Sequence, residues 1–116
     1  MKFRATLFIG LLVVSSAAVA DYPHNMNAGV LRADCELLDR PSQVRCEAFL
    51  MGVADTVNAL IFLKKLDKNY FCIPEGVNEI QLRKAFVAYV AAENVKITDP
   101  AAEVALAAFG RAFPCK

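Results

Sequence analysis

The sequence predicts an all-α fold, a small disulfide-stapled bundle of four principal helices around a long central helix. Three observations lead to this fold class. Apolar residues recur at helical spacing from Ser42 to Leu66, which is an unusually long run. Proline and glycine punctuate the rest of the chain, and no stretch has the clear alternation of a β-strand. Four cysteines can cross-link the helices.

Residues 1–20 have the pattern of a secretory signal peptide. Lys2 and Arg4 precede a short apolar run, and small residues up to Ala20 mark a cleavage point. The run is about half the 20 or so residues that a membrane-spanning helix needs, which favours a signal peptide over a membrane anchor. We therefore expect a periplasmic or secreted protein with no membrane attachment after cleavage, and a single helical domain at residues 21–116.

The charge balance of the exported part does not point to nucleic acid. Without Lys2 and Arg4, 11 basic side chains remain against 12 acidic ones, a net charge near −1. The two signs are interspersed, and no basic stripe is present. We therefore expect no nucleic-acid partner.

The first helix follows a polar arm in which Asn25 or Asn27 can act as the N-cap. We expect this helix to stop by Arg40, because the residue before Pro41 is disfavoured in helical conformation. Its inward face is predicted from the i, i+4, i+7 spacing and comprises Leu31, Cys35 and Leu38.

The central helix is predicted from Ser42, its expected N-cap, to Leu66. Apolar side chains lie on both of its faces, so we expect burial on all sides. Three lysines, Lys64, Lys65 and Lys68, gather at its end, where cations suit the exposed carbonyls. We interpret them as a solvated helix end. The first apolar face comprises Cys46, Phe49, Leu50, Val53, Val57, Leu60 and Ile61.

Two further helices follow the central one. Asn78 and Gln81 form a plausible capping pair for a third helix at residues 79–94. Pro100 lies in the first turn of a fourth helix, which runs to about Phe113 and is rich in alanine. Its small side chains should allow close approach to the central helix. The inward positions of the third helix are predicted to be Leu82, Phe86, Val87, Tyr89 and Val90.

All four cysteines lie in the exported part. An even number in an oxidising compartment favours two disulfides with three possible pairings. A zinc site is disfavoured because no C-x-x-C pair occurs. Short loops bring the end of helix one to the start of helix two, and helix four should return to the end where helix two finished. We therefore predict disulfides Cys35–Cys46 and Cys72–Cys115.

Residues that carry catalytic chemistry are sparse. The exported part contains one serine, Ser42, two threonines, Thr56 and Thr98, and one histidine, His24, in the polar arm. No hydrolytic triad or phosphate-binding loop is apparent, and the carboxylates lack the spacing of a metal or glycosidase site. Paired cysteines would leave no thiol nucleophile. We therefore predict that the protein is not an enzyme and needs no cofactor or metal.

The second face of the central helix is a candidate contact surface. Asp55 interrupts it, between Met51 and Phe62. Asp55 is either a polar contact inside an interface, or a residue that is exposed or satisfied by a neighbouring N–H. The surplus of apolar surface on this helix favours a homodimer.

The turn after the central helix is a second candidate. It presents Ile73, Pro74 and Glu75 next to Cys72. A disulfide-braced loop is a rigid platform for recognition, and the alternative is a simple connector between helices.

Three segments carry a family resemblance: CEAFLMGVAD (Cys46–Asp55), YFCIPEGV (Tyr70–Val77) and AFPCK (Ala112–Lys116). With the order of the four cysteines, they resemble the Rap/Tai family of immunity proteins against type VI secretion amidase effectors. The resemblance extends from about Cys35 to Cys115. The chain departs from the family pattern at residues 92–98, which lack a His-Pro-Glu run, and in the short connection at residues 39–42.

The resemblance implies a small periplasmic helical protein, often dimeric, that binds a peptidoglycan-cleaving amidase of the cysteine–histidine type and blocks its active cleft. An alternative from another class is a small periplasmic helical chaperone or stress protein that acts through an exposed apolar dimer surface. One histidine and scattered carboxylates make a poor pH trigger for such a chaperone. A third alternative is a protein of this type without an amidase partner.

Overall fold

The computed structural model describes residues 26–116, which form an all-helical bundle and confirm the predicted fold class. The predicted signal peptide at residues 1–20 and the polar arm with His24 lie outside these residues. Between residues 26 and 116 there is no β-strand, and one isolated bridge joins Asn27 to Pro100. The helices are α1 (Ala28–Glu36), α2 (Arg40–Phe62), α3 (Glu79–Ala92) and α4 (Ala101–Ala112).

The core lies where the four helices meet. Each helix contributes one fully buried large side chain: Leu31, Leu50, Phe86 and Phe109. The longest helix, α2, contacts all three others, but the alanine-rich α4 packs more extensively on α3 than on α2. The small side chains of α4 therefore serve mainly its pairing with α3. In the described part of the chain, no helix combines the length and apolarity needed to cross a bilayer.

Helix α1 begins as predicted and ends early. The Asn27 side chain caps it by accepting a hydrogen bond from the Val30 N–H at 2.9 Å. The chain becomes extended at Leu37, so the helix ends at Glu36. Leu38 therefore lies beyond the helix and is 92% exposed. Its predicted place on the inward face is wrong.

Helix α2 begins two residues before its predicted cap. Asp39 is the N-cap, and its carboxylate accepts a hydrogen bond from the Ser42 N–H at 2.9 Å. Pro41 lies in the first turn, where its missing N–H leaves no partner unsatisfied. The prediction of Ser42 as the cap is wrong because the aspartate already fills that position.

Helix α2 ends at Phe62, four residues before the predicted Leu66. The Lys65 N–H donates to the Leu60 carbonyl at 2.8 Å, and the Lys64 N–H donates to the Ile61 carbonyl at 2.9 Å. Lys64 has φ of 56°, in the left-handed region. This combination is a Schellman motif, which terminates the helix by satisfying its last carbonyls.

Only one side of α2 is buried, so the prediction of burial on all sides is wrong. The neighbouring helices cover the first apolar face and leave the opposite one open. On that open side Met51 is 43% exposed, Phe62 is 85% exposed, and Asp55 is also exposed. The buried positions of α2 are Ser42, Cys46, Glu47, Leu50, Ala54 and Val57.

Helices α3 and α4 agree closely with their predicted positions. Asn78 and Gln81 form the complete capping box of α3, with both reciprocal hydrogen bonds present. Pro100 is the N-cap of α4, one residue before the first turn in which it was predicted, and the helix ends before Phe113. Of the predicted inward residues of α3, three are buried, namely Leu82, Phe86 and Val90. The other two, Val87 and Tyr89, are half-buried.

The two disulfides have the pairing that the topology predicts. Cys35–Cys46 joins α1 to α2 with a Cα–Cα distance of 5.1 Å, and both residues are buried. Cys72–Cys115 joins the loop after α2 to the chain after α4, with a Cα–Cα distance of 4.9 Å, and both residues are exposed. One disulfide therefore lies in the core and the other on the surface.

Candidate functional site

The structure brings three of the predicted contact residues to one groove. Met51 and Asp55 of α2 and Ile73 of the following loop line a shallow cavity of about 230 Å³. We call it the α2–loop groove. Its remaining wall residues are Ala54, Asn58, Val77, Asn78, Glu79 and Leu82.

The other predicted contact residues lie outside this groove. Pro74 and Glu75 are exposed in the loop, and Phe62 lies about two turns beyond Asp55 along α2. Asp55 is exposed and forms no ion pair with the residues between 26 and 116. The predicted set is thus divided between the groove, the loop crest and the end of α2.

The loop that carries Ile73 is held at its base by the core. The Phe71 ring is buried and packs against Phe109, with ring centroids 5.5 Å apart. The Cys72 N–H donates to the Phe113 carbonyl at 2.8 Å, and the disulfide to Cys115 fixes the same point. These contacts make the base of the loop a rigid support.

The crest of the loop is a tight turn. The Val77 N–H donates to the Pro74 carbonyl at 3.3 Å. Gly76 has φ of 89°, a conformation that is strained for any residue with a side chain. The glycine in the sequence is therefore required by the turn, which displays Glu75 to solvent.

A second exposed surface lies at the end of α2, and of its residues the sequence predicted only Phe62 as a candidate contact. Residues 62–70 form what we call the α2-tip loop, in which Leu66 is half-buried and every other residue is exposed. Phe62 and Leu63 are among its exposed residues, and the Lys68 ammonium lies 5.4 Å from the Tyr70 ring centroid. The sequence predicted helix as far as Leu66, so it did not indicate that α2 ends at Phe62 and that an exposed loop follows. The run of lysines in this loop was the available signal.

A third surface is an apolar groove between α2 and α4, about 520 Å³ in volume. Gly52 is one of its lining residues, and a methyl group added there would contact no other side chain. A helix-interior glycine with open space above it is not explained by packing within this chain. The groove is lined by Ala48, Phe49, Gly52, Val53, Thr56, Val57, Ala102 and Leu106.

A fourth surface lies at the opposite end of α2. Leu37 and Leu38 border an apolar groove of about 370 Å³, with Lys84 and Val87 of α3 on its other side. The 23 residues of α2 span about 33 Å, so this groove is far from the α2-tip loop.

Helix α2 carries one buried charge, Glu47. Its side chain is 4% exposed, with one oxygen 3.2 Å from Nη1 of Arg83 and the other 3.3 Å from Nη1 of Arg40. The Glu47–Arg83 contact is an ion pair without hydrogen-bond geometry. In this pair the guanidinium of Arg83 on α3 compensates the buried carboxylate of Glu47 on α2. The contact is structural, and no sequence motif indicated it.

Among residues 26–116, two groups have shifted pKa values, and both lie at the corner between α1 and α2. The hydrogen bond from the Ser42 N–H lowers the pKa of the Asp39 carboxyl below its ordinary value, and the Ser42 side chain adds to the effect. A hydrogen bond to Asp34, with Nη2 and Oδ1 2.7 Å apart, raises the pKa of Arg45. Both shifts follow from local folding contacts.

The hydroxyl groups near these surfaces are engaged in structural hydrogen bonds. The Thr56 hydroxyl donates to the Gly52 carbonyl at 2.7 Å, and the buried Ser42 hydroxyl accepts from Arg45 at 2.8 Å. Within the described range, no cluster of three or more His, Cys, Asp or Glu side chains could hold a metal ion.

Comparison with known families gives a match over most of the chain. A family model described as Rap1a immunity proteins matches residues 27–115. The matched residues include all four helices and both disulfides. No curated protein and no solved structure matches the chain.

Proposed function

Because the chain belongs to the Rap1a immunity protein family, we propose that it protects its producer by binding and occluding a peptidoglycan amidase effector of type VI secretion in the periplasm. As a family member it is an immunity protein, directed at a secreted effector. The amidase target, the periplasmic site of action and the secretion route are the parts that we propose.

The observation that carries the proposal is the extent of the family match. It runs from the N-cap of α1 at Asn27 to the last cysteine, Cys115, and so covers the complete four-helix scaffold. Family membership therefore rests on the whole fold and not on one motif.

Occlusion needs a rigid scaffold and a surface that complements the target. It does not require the inhibitor to catalyse any reaction. The core disulfide Cys35–Cys46 and the surface disulfide Cys72–Cys115 hold the loops in one arrangement. A preordered surface loses less conformational entropy on binding, so more of the contact free energy appears as affinity. Inhibition by shape and charge complementarity is consistent with this scaffold.

Export to the periplasm fits the two disulfides and the predicted signal peptide at residues 1–20. Disulfides form and persist in oxidising compartments. The amidase substrate, peptidoglycan, lies in the same compartment. We propose that inhibitor and effector meet there.

We also propose a homodimer built on the open side of α2. Met51 is exposed there, and the apolar groove between α2 and α4 adds further apolar surface. Size-exclusion chromatography with light scattering should give twice the mass of the mature chain. The mass of one chain across micromolar concentrations would contradict the dimer.

The test of the proposed function is to look for an amidase effector encoded beside this gene and to measure its inhibition. The purified mature chain should form a stable complex with that amidase, and peptidoglycan hydrolysis should fall to zero at one inhibitor per enzyme. An inactive amidase variant with its catalytic cysteine replaced should still bind, because occlusion requires no turnover.

Two results would contradict the proposal. Unchanged hydrolysis at a large excess of the chain would exclude this amidase as the target. Suppression of aggregation of unrelated proteins at low pH, without amidase binding, would favour the chaperone alternative.

A further inference from the structure

We propose that the α2-tip loop, residues 62–70, is the surface that docks onto the effector, and that it fits an apolar recess with an acidic rim. This inference rests on the proposed function and names the part of the chain that would carry it out. It also revises the sequence interpretation of the lysines as a solvated helix end, because the structure places exposed apolar residues beside them.

The first argument is exposure. Phe62 is 85% exposed and its neighbour Leu63 is 61% exposed, at the very end of a helix. Single exposed apolar residues are ordinary, but two adjacent large ones that project from a helix end leave apolar surface unburied. Burying two such side chains in a partner would remove this apolar surface from water and favour binding.

The second argument is rigidity at both ends of the loop. The Schellman hydrogen bonds of Lys64 and Lys65 fix its start. Phe71 in the core and the Cys72–Cys115 disulfide fix its end. A projecting loop with fixed ends loses little entropy on docking, which distinguishes it from a free terminus.

The third argument is charge. Three lysines and one aspartate give residues 62–70 a net charge of +2, whereas the rest of the chain after Ala20 carries about −3. Lys64, Lys65 and Lys68 are all exposed. The loop is thus a local positive patch on an otherwise acidic protein, and it would be attracted to acidic groups around the recess.

The charge also selects the kind of occupant. In a twofold dimer the same patch meets itself, so two copies docking through this loop would bring their lysines together. An anionic membrane has suitable charge, but immunity proteins act by binding an effector protein. An acidic protein surface is therefore the occupant that agrees with both the charge and the family.

The experiment measures affinity for an amidase effector encoded beside this gene by isothermal titration calorimetry. One variant combines Phe62→Ser with Leu63→Ser, and another combines Lys64→Glu with Lys65→Glu. The matched control combines Leu38→Ser with Lys84→Glu, which changes an exposed leucine and an exposed lysine at the other end of α2. Circular dichroism and urea unfolding confirm that each variant is folded.

We expect each tip variant to lose affinity by roughly tenfold or more, as for residues at the centre of an interface. The control should change it less than about twofold. The affinity of the unmodified chain should fall as salt rises, and that of the Lys64→Glu, Lys65→Glu variant should not. Hydrogen exchange should show protection of residues 62–70 in the complex.

The contrary results are distinguishable. If the unmodified chain forms no complex, the proposed function and this inference both fail for that amidase. If it forms a complex that the tip variants do not weaken, or that only the control variant weakens, the inference alone fails. The inference would also be overturned if the tip variants kept their affinity for the effector and instead lost binding to phosphatidylglycerol vesicles. The same holds if they kept that affinity and instead lost dimerisation.

Discussion

Phe71, at the end of the long loop after α2, packs edge to face against Phe109 of α4, with ring centroids 5.5 Å apart and ring planes at 81°. Both rings are buried, and this is a favoured geometry for aromatic pairs. The contact joins the loop to the core one residue before Cys72 forms the surface disulfide. The Phe71 ring is thus one of three contacts, with the Cys72 backbone hydrogen bond and the disulfide, that hold the base of this loop.

Replacing Phe71 by alanine should lower the free energy of unfolding by about 3–5 kcal/mol, because it removes a buried ring and leaves a cavity. Phe71→Leu, which retains much of the volume, should cost less. Urea denaturation of the oxidised protein measures both. Tyr70→Ala, at an exposed neighbouring position, should change stability by no more than about 0.5 kcal/mol. Equal losses for Phe71→Ala and Tyr70→Ala would contradict the anchoring role.

The ion pair between α2 and α3 gives a second prediction. Glu47→Gln keeps the shape of the side chain and leaves Arg83, whose side chain is 18% exposed, without its compensating charge. We expect a loss of about 3 kcal/mol in the free energy of unfolding, since a buried charge without a partner is unfavourable.

A double variant provides the control for that prediction. Glu47→Met with Arg83→Met removes both charges and fills the space with apolar atoms, so stability should return to within about 1 kcal/mol of the unmodified protein. Thermal unfolding of the unmodified protein, Glu47→Met, Arg83→Met and the double variant gives the complete cycle. A double variant as unstable as Glu47→Gln would mean that packing, and not charge, holds this position.

The features that the sequence predicted well depend on local or covalent chemistry. The caps at Asn27 and Asn78 are formed by side chains that bond to backbone groups three residues away, so a short window of sequence contains all the information. The disulfide pairing follows from helix order, because short connections leave few arrangements. These features need no knowledge of distant packing.

The features that the sequence did not predict depend on which surfaces the neighbouring helices bury. Apolar periodicity on both faces of α2 cannot tell which face the neighbours cover, and they leave Met51 and Phe62 exposed. The end of α2 was also missed, because its Schellman motif has lysine at the position where glycine is the usual signal. Leu38 was placed inward by extending a helix that ends at Glu36.

The two disulfides should differ in their rate of reduction. Cys72 and Cys115 are exposed, whereas Cys35 and Cys46 are buried and become accessible only when the core opens. Under native conditions with limiting phosphine and iodoacetamide, peptide mapping should find Cys72 and Cys115 labelled first. In urea above the unfolding transition, both pairs should be labelled at similar rates. Equal labelling of Cys35 in the native protein would contradict the buried position.

The N-cap of α2 predicts a dependence of stability on pH. The Ser42 N–H holds the pKa of the Asp39 carboxyl below its ordinary value of 3.8. The folded state therefore binds the proton less readily than the unfolded state. The stabilisation is fully present above the unfolded pKa and is lost as pH falls through the lowered folded pKa.

Asp39→Asn tests this dependence because it keeps a cap acceptor and removes the charge. The unmodified protein should unfold at a higher temperature than the variant near neutral pH, and the difference should shrink as pH falls below 3.8 and vanish once the pH lies below the lowered pKa of Asp39. Asp39→Ser, which also caps without charge, should show the same profile. A difference that is constant from neutral pH to pH 3 would mean that the charge of Asp39 contributes nothing.

The left-handed residue at the end of α2 gives the last prediction. Lys64 has φ of 56°, which costs a residue with a side chain roughly 1 kcal/mol relative to glycine. Lys64→Gly should therefore be more stable in urea denaturation than Lys64→Ala by about 1 kcal/mol, because both remove the charge and only glycine relieves the strain. The order should reverse at Lys65, which has no positive φ, so Lys65→Gly should be less stable than Lys65→Ala. The same order at both positions would show that Lys64 carries no such strain.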